Sequence, residues 1–148
     1  LGIPNSSKLT DLVDGELKSY TKGESIAVTQ LRHTLPEIFN NTPFNQSKLG
    51  IKISRTLYVA FDRQNNFLGT ATHTETNPLI ESDYNQICEY IRNTTTLKTF
   101  TGSNKVLQIR TKDSKYKGKY HPIIWEGQQI SNKGFAFYLT GRYAKTIA

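Results

Sequence analysis

Apolar and polar residues alternate on both sides of a short turn near the start of the chain. The alternation covers residues 12–20 and 25–31, and a period of two is typical of strands that bury one face. Residues 21–24 between them, TKGE, have the glycine and polar side chains of a turn. We therefore expect two strands joined as a β-hairpin.

The same alternation recurs further along the chain. In residues 51–61 the odd positions are apolar except Arg55, which predicts one strand through the whole stretch. A polar turn at 64–66, QNN, leads into a second predicted strand over 67–73. Residues 105–112 also alternate and predict a further strand.

Helical spacing is clearest in residues 80–91, where the apolar positions are Ile80, Tyr84, Ile87, Cys88 and Ile91. Residues 34–37, TLPE, have the cap and the proline of a helix start, so a short helix is expected there. Residues 135–139 are extended or lead into a helix, and 141–148 form a short terminal helix. Strands and helices in mixed order predict an α/β or α+β fold, with a mixed sheet flanked by helices.

Length and composition narrow the class of protein. With 148 residues and 36% hydrophobic content, residues 1–148 are expected to form a single domain. No apolar run approaches the roughly 18 residues of a membrane span, and Leu1–Ser7 lacks the order of a secretory signal. The single cysteine, Cys88, fits a reducing cytoplasm. Because the chain starts with Leu and contains no Met, we expect a trimmed chain or a fragment of a longer protein.

The positive charge is concentrated in the last third of the chain. Residues 98–148 contain ten Lys and Arg against two acidic residues, whereas residues 1–97 have a net charge of −1. Such asymmetry is expected when one part of a protein meets a polyanion, and a solubilising surface is the alternative explanation. The loop 115–121, KYKGKYH, alternates basic and aromatic residues, which favours contact with a nucleic-acid backbone or groove. A flexible surface loop would have the same composition.

The segment from Asp11 to Lys18, DLVDGELK, carries the strongest chemical signal. On a strand, Glu16 and Lys18 project from one face, and either Asp11 or Asp14 adds a carboxylate just upstream. Two carboxylates and a main-chain carbonyl suit Mg²⁺, and a lysine can orient or deprotonate the attacking water or stabilise developing charge. The segment is therefore a candidate site for phosphodiester hydrolysis, although an ordinary same-face ion pair would have the same pattern.

Four segments resemble, in the same order, the MutH-like branch of the PD-(D/E)xK nucleases, which includes the MutH mismatch-repair nickase and GATC-specific type II restriction endonucleases. The first is the segment Asp11 to Lys18. The others are 47–58 (SKLGIKISRTLY), 107–112 (LQIRTK) and 133–139 (KGFAFYL). Together they span nearly the whole chain.

The resemblance implies a restriction-endonuclease-like fold and a magnesium-dependent endonuclease acting on duplex DNA at a short, GATC-like site. It makes Asp11, Glu16 and Lys18 the metal and water-activating centre and Lys52 an auxiliary catalytic lysine. The gap from Asp11 to Glu16 is shorter than in the family, so Asp14 stays an alternative metal ligand. The implied DNA-binding residues are Arg110, Lys112 and Tyr138, and the basic loop adds Lys115, Lys117 and Lys119.

Two other functions are compatible with the sequence. A non-cleaving DNA-binding or effector domain of a larger restriction enzyme is the main alternative, and it is separated from a nuclease by metal-dependent activity. An RNA-binding module is disfavoured because no aromatic RNP-type strand motif occurs. A larger parent chain and a homodimer are both open, since one site suffices for nicking whereas a double-strand cut needs two sites or two successive events.

Overall fold

The computed structural model describes residues 16–72, 77–112 and 122–146. Strands and helices in these ranges follow one another in mixed order, which places the chain in the α+β class. The strands are β1 Glu16–Thr21, β2 Ile26–Gln30, β3 Thr56–Phe61, β4 Phe67–Thr72, β5 Phe100–Thr101, β6 Leu107–Thr111, β7 Ile123–Trp125, β8 Gln128–Ser131 and β9 Phe135–Leu139. The helices are α1 Leu35–Phe39, α2 Lys48–Ser54, α3 Pro78–Asn93 and α4 Gly141–Ala144.

A three-stranded mixed sheet has the order β1-β3-β4. β1 runs parallel to β3, with Glu16 opposite Thr56 and Thr21 opposite Phe61, and β4 is antiparallel to β3. A parallel pair needs a crossover, which β2, α1 and α2 provide here. The predicted turn between β3 and β4 is confirmed, because the Asp62 carboxylate accepts hydrogen bonds from the backbone N–H groups of Gln64 and Asn66 at 2.8 Å each.

A second sheet, β2-β9-β6-β5, is antiparallel throughout. The predicted β1–β2 hairpin is therefore wrong: the two strands form, but β1 pairs with β3 and β2 pairs with β9. Period-two alternation identifies a strand that buries one face and carries no information about its partner. The predicted strand over 105–112 is confirmed as β6, residues 135–139 form the extended strand β9, and β7 and β8 make a separate two-stranded ribbon.

The first half of the strand predicted over 51–61 is helical, which corrects that prediction. α2 occupies 48–54 and the strand begins only at Thr56. Ser47 caps the helix by accepting a hydrogen bond from the Gly50 N–H at 3.0 Å. Leu49 and Ile53, four residues apart, are buried, whereas Ile51 is 39% exposed. Burial therefore follows the helical period in residues 48–54 and the strand period of two in residues 56–61.

The main core lies between the second sheet and the helices. Phe137, Leu107 and Ile109 from the sheet and Ile80 and Ile87 from α3 are completely buried. The predicted helix over 80–91 is confirmed, and Cys88, one of its apolar positions, is buried. The expected short helices at 34–37 and after 140 also form, as α1 and α4. No helix of the described residues is long and apolar enough to cross a bilayer.

Candidate functional site

A polar groove of about 320 Å³ lies where β1 and α2 approach the second sheet. Three lysines from distant segments of the chain face it together. We call it the lysine groove; its lining is Lys18, Ala27, Val28, Thr29, Gln30, His33, Lys52, Lys112 and Ala136. Among the sequence-predicted site residues, the groove brings Lys18, Lys52 and Lys112 together, and Glu16 stands at its edge beside Lys52.

β1 positions Glu16 and Lys18. Side chains two apart on a strand project from the same face, and on this face Tyr20 is buried, with its ring edge-on to Tyr58 at 6.4 Å between centroids. The Tyr20 hydroxyl also donates to the Ala144 carbonyl at 3.3 Å. The far end of β1 is thus anchored in the core, while Glu16 and Lys18 are half-buried at the groove.

Lys52 reaches Glu16 from the last turn of α2. Its Nζ lies 3.7 Å from Glu16 Oε1, and the two side chains are 34% and 36% exposed. The Thr56 hydroxyl donates to the Lys52 carbonyl at 2.5 Å, which joins the end of α2 to the start of β3. An ion pair this exposed contributes only about 0 to 1 kcal/mol. The weak ion pair can therefore open, so that the Glu16 carboxylate is available to a cation and the Lys52 ammonium to a phosphate.

The electrostatic environment of the groove is cationic. Burial, followed by the positive charges of Lys52 and Lys112, lowers the pKa of Lys18 from its usual value, and Glu16 opposes this shift. A neighbouring anion would reverse part of the shift, because it stabilises the charged ammonium. The groove therefore favours anionic ligands.

A hard divalent cation finds two suitable donors on β1. Glu16 offers its carboxylate. The Glu16 N–H donates to the Arg55 carbonyl, and in a parallel pair the residues that bond to one neighbour alternate along the strand. The Leu17 carbonyl therefore points to the edge of β1 away from β3, and oxygen donors of these two kinds fit Mg²⁺.

The remaining predicted metal ligands, Asp11 and Asp14, lie outside the described residues. Within the described ranges, no group of three or more His, Cys, Asp or Glu side chains could hold a metal ion. Among the described residues, Glu16 is therefore the carboxylate that stands beside the groove lysines.

Arg110 and Tyr138 form a pair beside the groove. The Arg110 guanidinium carbon lies 4.0 Å from the centroid of the Tyr138 ring, and Arg110 Nη1 donates to the Ser25 hydroxyl at 3.4 Å. Tyr138 is only 8% exposed. The strand register connects the pair to the groove, because Ala27 is the β2 partner of Tyr138 and Ala136 is the β9 partner of Arg110. Arg110, not the tyrosine ring, is therefore the accessible member.

Sequence reasoning assigned no role to one residue of the groove lining, His33. No metal-ligand spacing surrounds His33 in the sequence, yet the residue is exposed and lines the groove. No local pattern could have revealed this, since its neighbours in the groove come from other segments. Lys115, Lys117 and Lys119 lie outside the described residues.

A larger hollow of about 610 Å³ lies between α3 and β5, lined by Gln86, Glu89, Tyr90, Asn93, Thr94, Phe100, Thr101 and Ser103. Its centre is the stacked pair Tyr90 and Phe100, 4.4 Å apart. The lining includes one carboxylate and no cationic side chain, so it offers no cluster for anion binding or metal-dependent hydrolysis. The lysine groove is the stronger candidate because it brings three lysines together, with the Glu16 carboxylate at its edge.

Comparison of the chain with protein-family models, with curated proteins and with solved structures finds no match.

Proposed function

We propose that this chain is a magnesium-dependent endonuclease that hydrolyses phosphodiester bonds of duplex DNA at a short, GATC-like site. The observation that carries the proposal is the convergence of Lys18, Lys52 and Lys112 on one groove with Glu16 at its edge. These residues were selected from motifs in three separate segments of sequence. Their meeting in one place supports a shared role in holding a phosphate.

The metal-binding role falls to β1. Glu16, the Leu17 carbonyl and one of Asp11 and Asp14 would hold Mg²⁺. The ion, when bound, neutralises charge on the phosphate and lowers the pKa of water. Glu16 also keeps Lys52 at the groove in the absence of ligand, through the 3.7 Å ion pair.

Lys18 and Lys52 act on the scissile phosphate. Lys18 is half-buried at the groove, so its side chain can orient the attacking water or stabilise the negative charge that develops on the phosphate. Lys52 lies in the last turn of α2 and its side chain is 34% exposed. Its ammonium supplies a positive charge to the phosphate oxygens. Hydrolysis by direct water attack needs no covalent enzyme intermediate.

DNA contacts extend along the second sheet. Lys112 follows the end of β6 and reaches the groove, and Arg110 is two residues away on the same face of the strand. Lysine suits a phosphate as a point charge, and arginine suits paired hydrogen bonds to a guanine edge or a phosphate. The basic segment with Lys115, Lys117 and Lys119 follows Lys112 in the sequence, which is consistent with a longer DNA path.

A restriction-endonuclease-like arrangement is part of the same proposal. It is supported by a mixed sheet in which Glu16 and Lys18 share one strand, and by helices that pack beside the strands.

A non-cleaving DNA-binding domain is the second candidate, and the charge of the groove favours it. The described residues bring three lysines but only one carboxylate to the site. Such a set is sufficient for binding a phosphate backbone and is incomplete for a two-carboxylate metal centre.

The deciding experiment incubates the purified chain with supercoiled plasmid DNA, in magnesium or in EDTA, beside a gel shift on a GATC-containing duplex. The endonuclease predicts magnesium-dependent nicks or cuts. Glu16→Gln should reduce cleavage at least a hundredfold and preserve duplex binding, because it removes the metal-binding charge and keeps the shape of the side chain. Glu24→Gln is the matched control, since Glu24 is exposed on the turn after β1. This variant should cleave DNA normally.

Duplex binding with no cleavage in any divalent cation would identify the chain as the non-cleaving domain. Normal cleavage by Glu16→Gln would show that the active site lies elsewhere. Absence of both binding and cleavage would refute both functions.

A further inference from the structure

His33 occupies a fixed position at the lysine groove. It ends the single 3-10 turn Leu31–His33, which follows β2. The first residue of the turn and the residue after it hold the turn in place. Leu31 is fully buried, and the Thr34 hydroxyl, also buried, donates to the Leu31 carbonyl at 2.7 Å. Lys48 Nζ donates to the His33 carbonyl at 3.0 Å. The backbone is therefore anchored, while the imidazole faces the groove.

The charged groups near this imidazole are mostly cations. Arg32 lies on the same turn, Lys48 and Lys52 lie on α2, and Lys18 and Lys112 line the same groove. The carboxylates of the neighbouring elements have other partners. Glu37 of α1 accepts the Lys48 backbone N–H at 3.0 and 3.2 Å, and Glu16 of β1 pairs with Lys52.

This environment disfavours the protonated ring. Partial burial, then the charges of Arg32, Lys48 and Lys52, lowers the pKa of His33 below its usual value of 6.5. At neutral pH the neutral form of the ring therefore predominates in the protein alone. A phosphate in the groove would reverse the sign of the local potential and favour the imidazolium.

We propose that His33 is a further phosphate-binding residue of the lysine groove, and that it takes up a proton from solvent when the DNA backbone occupies the groove. The protonated ring then donates a hydrogen bond to a phosphate oxygen, and no covalent bond forms or breaks. This role deepens the proposed DNA-binding function and rests on it. It does not depend on whether the chain cleaves DNA.

The linkage between proton and DNA fixes the direction of the pH effect. His33 has a higher pKa in the complex than in the protein alone, so affinity rises as pH falls between those two values. One proton per complex gives at most about a tenfold change in Kd per pH unit. Above the higher pKa the ring is neutral in both states, and this contribution disappears.

The test measures Kd for a short fluorescent duplex containing GATC between pH 5.5 and 8.5, at constant ionic strength in EDTA. The wild-type chain should bind more tightly at low pH, by up to about tenfold per unit. His33→Gln should bind about equally at pH 8.5 and lose most of this pH dependence. Calorimetry in buffers of different ionisation enthalpy should show one proton fewer taken up by the variant.

His73→Gln is the control, because it removes a histidine that lies outside the proposed DNA-binding segment 115–121. It should keep the pH dependence. Binding that depends equally on pH in wild type and in His33→Gln would overturn the role of His33 and leave the DNA-binding function intact. Absence of duplex binding at every pH would overturn both.

Discussion

At the scale of single residues, the pairing of Arg110 with Tyr138 changes the interpretation of a proposed DNA contact. The resemblance implied a direct contact for both. The Arg110 guanidinium carbon lies 4.0 Å from the centroid of the Tyr138 ring, and the tyrosine is only 8% exposed. The ring therefore stacks against the guanidinium and has little surface of its own for a ligand. A stacked guanidinium loses less conformational freedom when it forms hydrogen bonds, because its orientation is already restricted. Tyr138 is therefore expected to act as a positioning residue for Arg110.

This geometry predicts a difference between two tyrosine variants. Tyr138→Phe keeps the aromatic face and should bind duplex DNA within about twofold of wild type. Tyr138→Leu removes the stacking, worth about 1 kcal/mol, and should weaken binding by roughly fivefold. Fluorescence anisotropy on a GATC duplex measures both.

Arg110→Ala provides the control background for that comparison. In this background Tyr138→Leu should cause no further loss of affinity, because the two residues act through one contact. Equal losses from Tyr138→Leu in both backgrounds would instead indicate general damage to β9. A large loss in Tyr138→Phe would show that the hydroxyl contacts DNA directly.

Individual residues also show the limits of local reasoning about chemistry. Glu16 and Lys18 could be identified because a shared strand face is a property of their spacing alone. The proximity of Lys52 to Glu16 could be expected only from the resemblance, since nothing in the local pattern of Lys52 distinguishes it from a solvated lysine. His33 offered no signal in the sequence, because its proposed role depends on side chains from other segments.

At the scale of elements, α2 and α3 are held by different means. α2 is short, and its start depends on the Ser47 cap and on close packing at Gly50, where an added Cβ would lie 2.0 Å from the Phe44 carbonyl oxygen. α3 is long and amphipathic, and its fully buried Asp83 holds the loop before β6. The Asp83 carboxylate accepts hydrogen bonds from the backbone N–H groups of Asn104, Val106 and Leu107 at 2.8 to 3.2 Å.

Removing the Asp83 carboxylate should therefore destabilise the fold strongly. Asp83→Ala leaves several buried N–H groups without an acceptor and should lower the free energy of unfolding by about 3 kcal/mol or more. Urea denaturation followed by circular dichroism measures the loss. Glu89→Ala, on the exposed side of the same helix, should change stability by less than about 0.5 kcal/mol.

A loss below about 1 kcal/mol in Asp83→Ala would mean that water replaces the carboxylate. Gly102 gives an independent check of the same contact. A Cβ at position 102 would lie 2.2 Å from the Asp83 Cγ, so Gly102→Ala should also destabilise the protein.

Element prediction succeeded where one local pattern was sufficient and failed where two competed. The apolar spacing of α3 fits only a helix, and its proline and Asn77 cap agree with that pattern. Residues 51–54 fit a strand by alternation, but the preceding Ser47 and the pair Leu49 and Ile53 fit a helix start. The helix forms because it buries both of those apolar side chains and satisfies the cap.

At the scale of the whole molecule, the distribution of charge predicts how binding responds to salt. The chain carries +7, and the lysine groove concentrates part of that charge on one surface. Each phosphate neutralised by a lysine releases condensed counterions from the duplex. A cation in the groove should therefore influence the salt dependence of binding, while one elsewhere should not.

Lys112→Gln should reduce the magnitude of the slope of log K against log salt concentration by about 0.9, and should weaken binding to all duplex sequences alike. Lys98→Gln removes the same charge outside the groove lining and should leave the slope unchanged. Anisotropy titrations at several salt concentrations provide both slopes. Equal effects of the two substitutions would indicate that net charge, not the groove, attracts the DNA.

The sequence by itself determined most of the individual strands and helices, the concentration of positive charge, and the shared face of Glu16 and Lys18. These features depend on residues that are near one another in the chain, where periodicity, caps and turns act directly. The tertiary structure decided that β1 pairs with β3 and β2 with β9, and that Lys18, Lys52, Lys112 and His33 face one groove. Strand pairing and groove formation depend on which surfaces are buried together, and that choice is made by the chain as a whole.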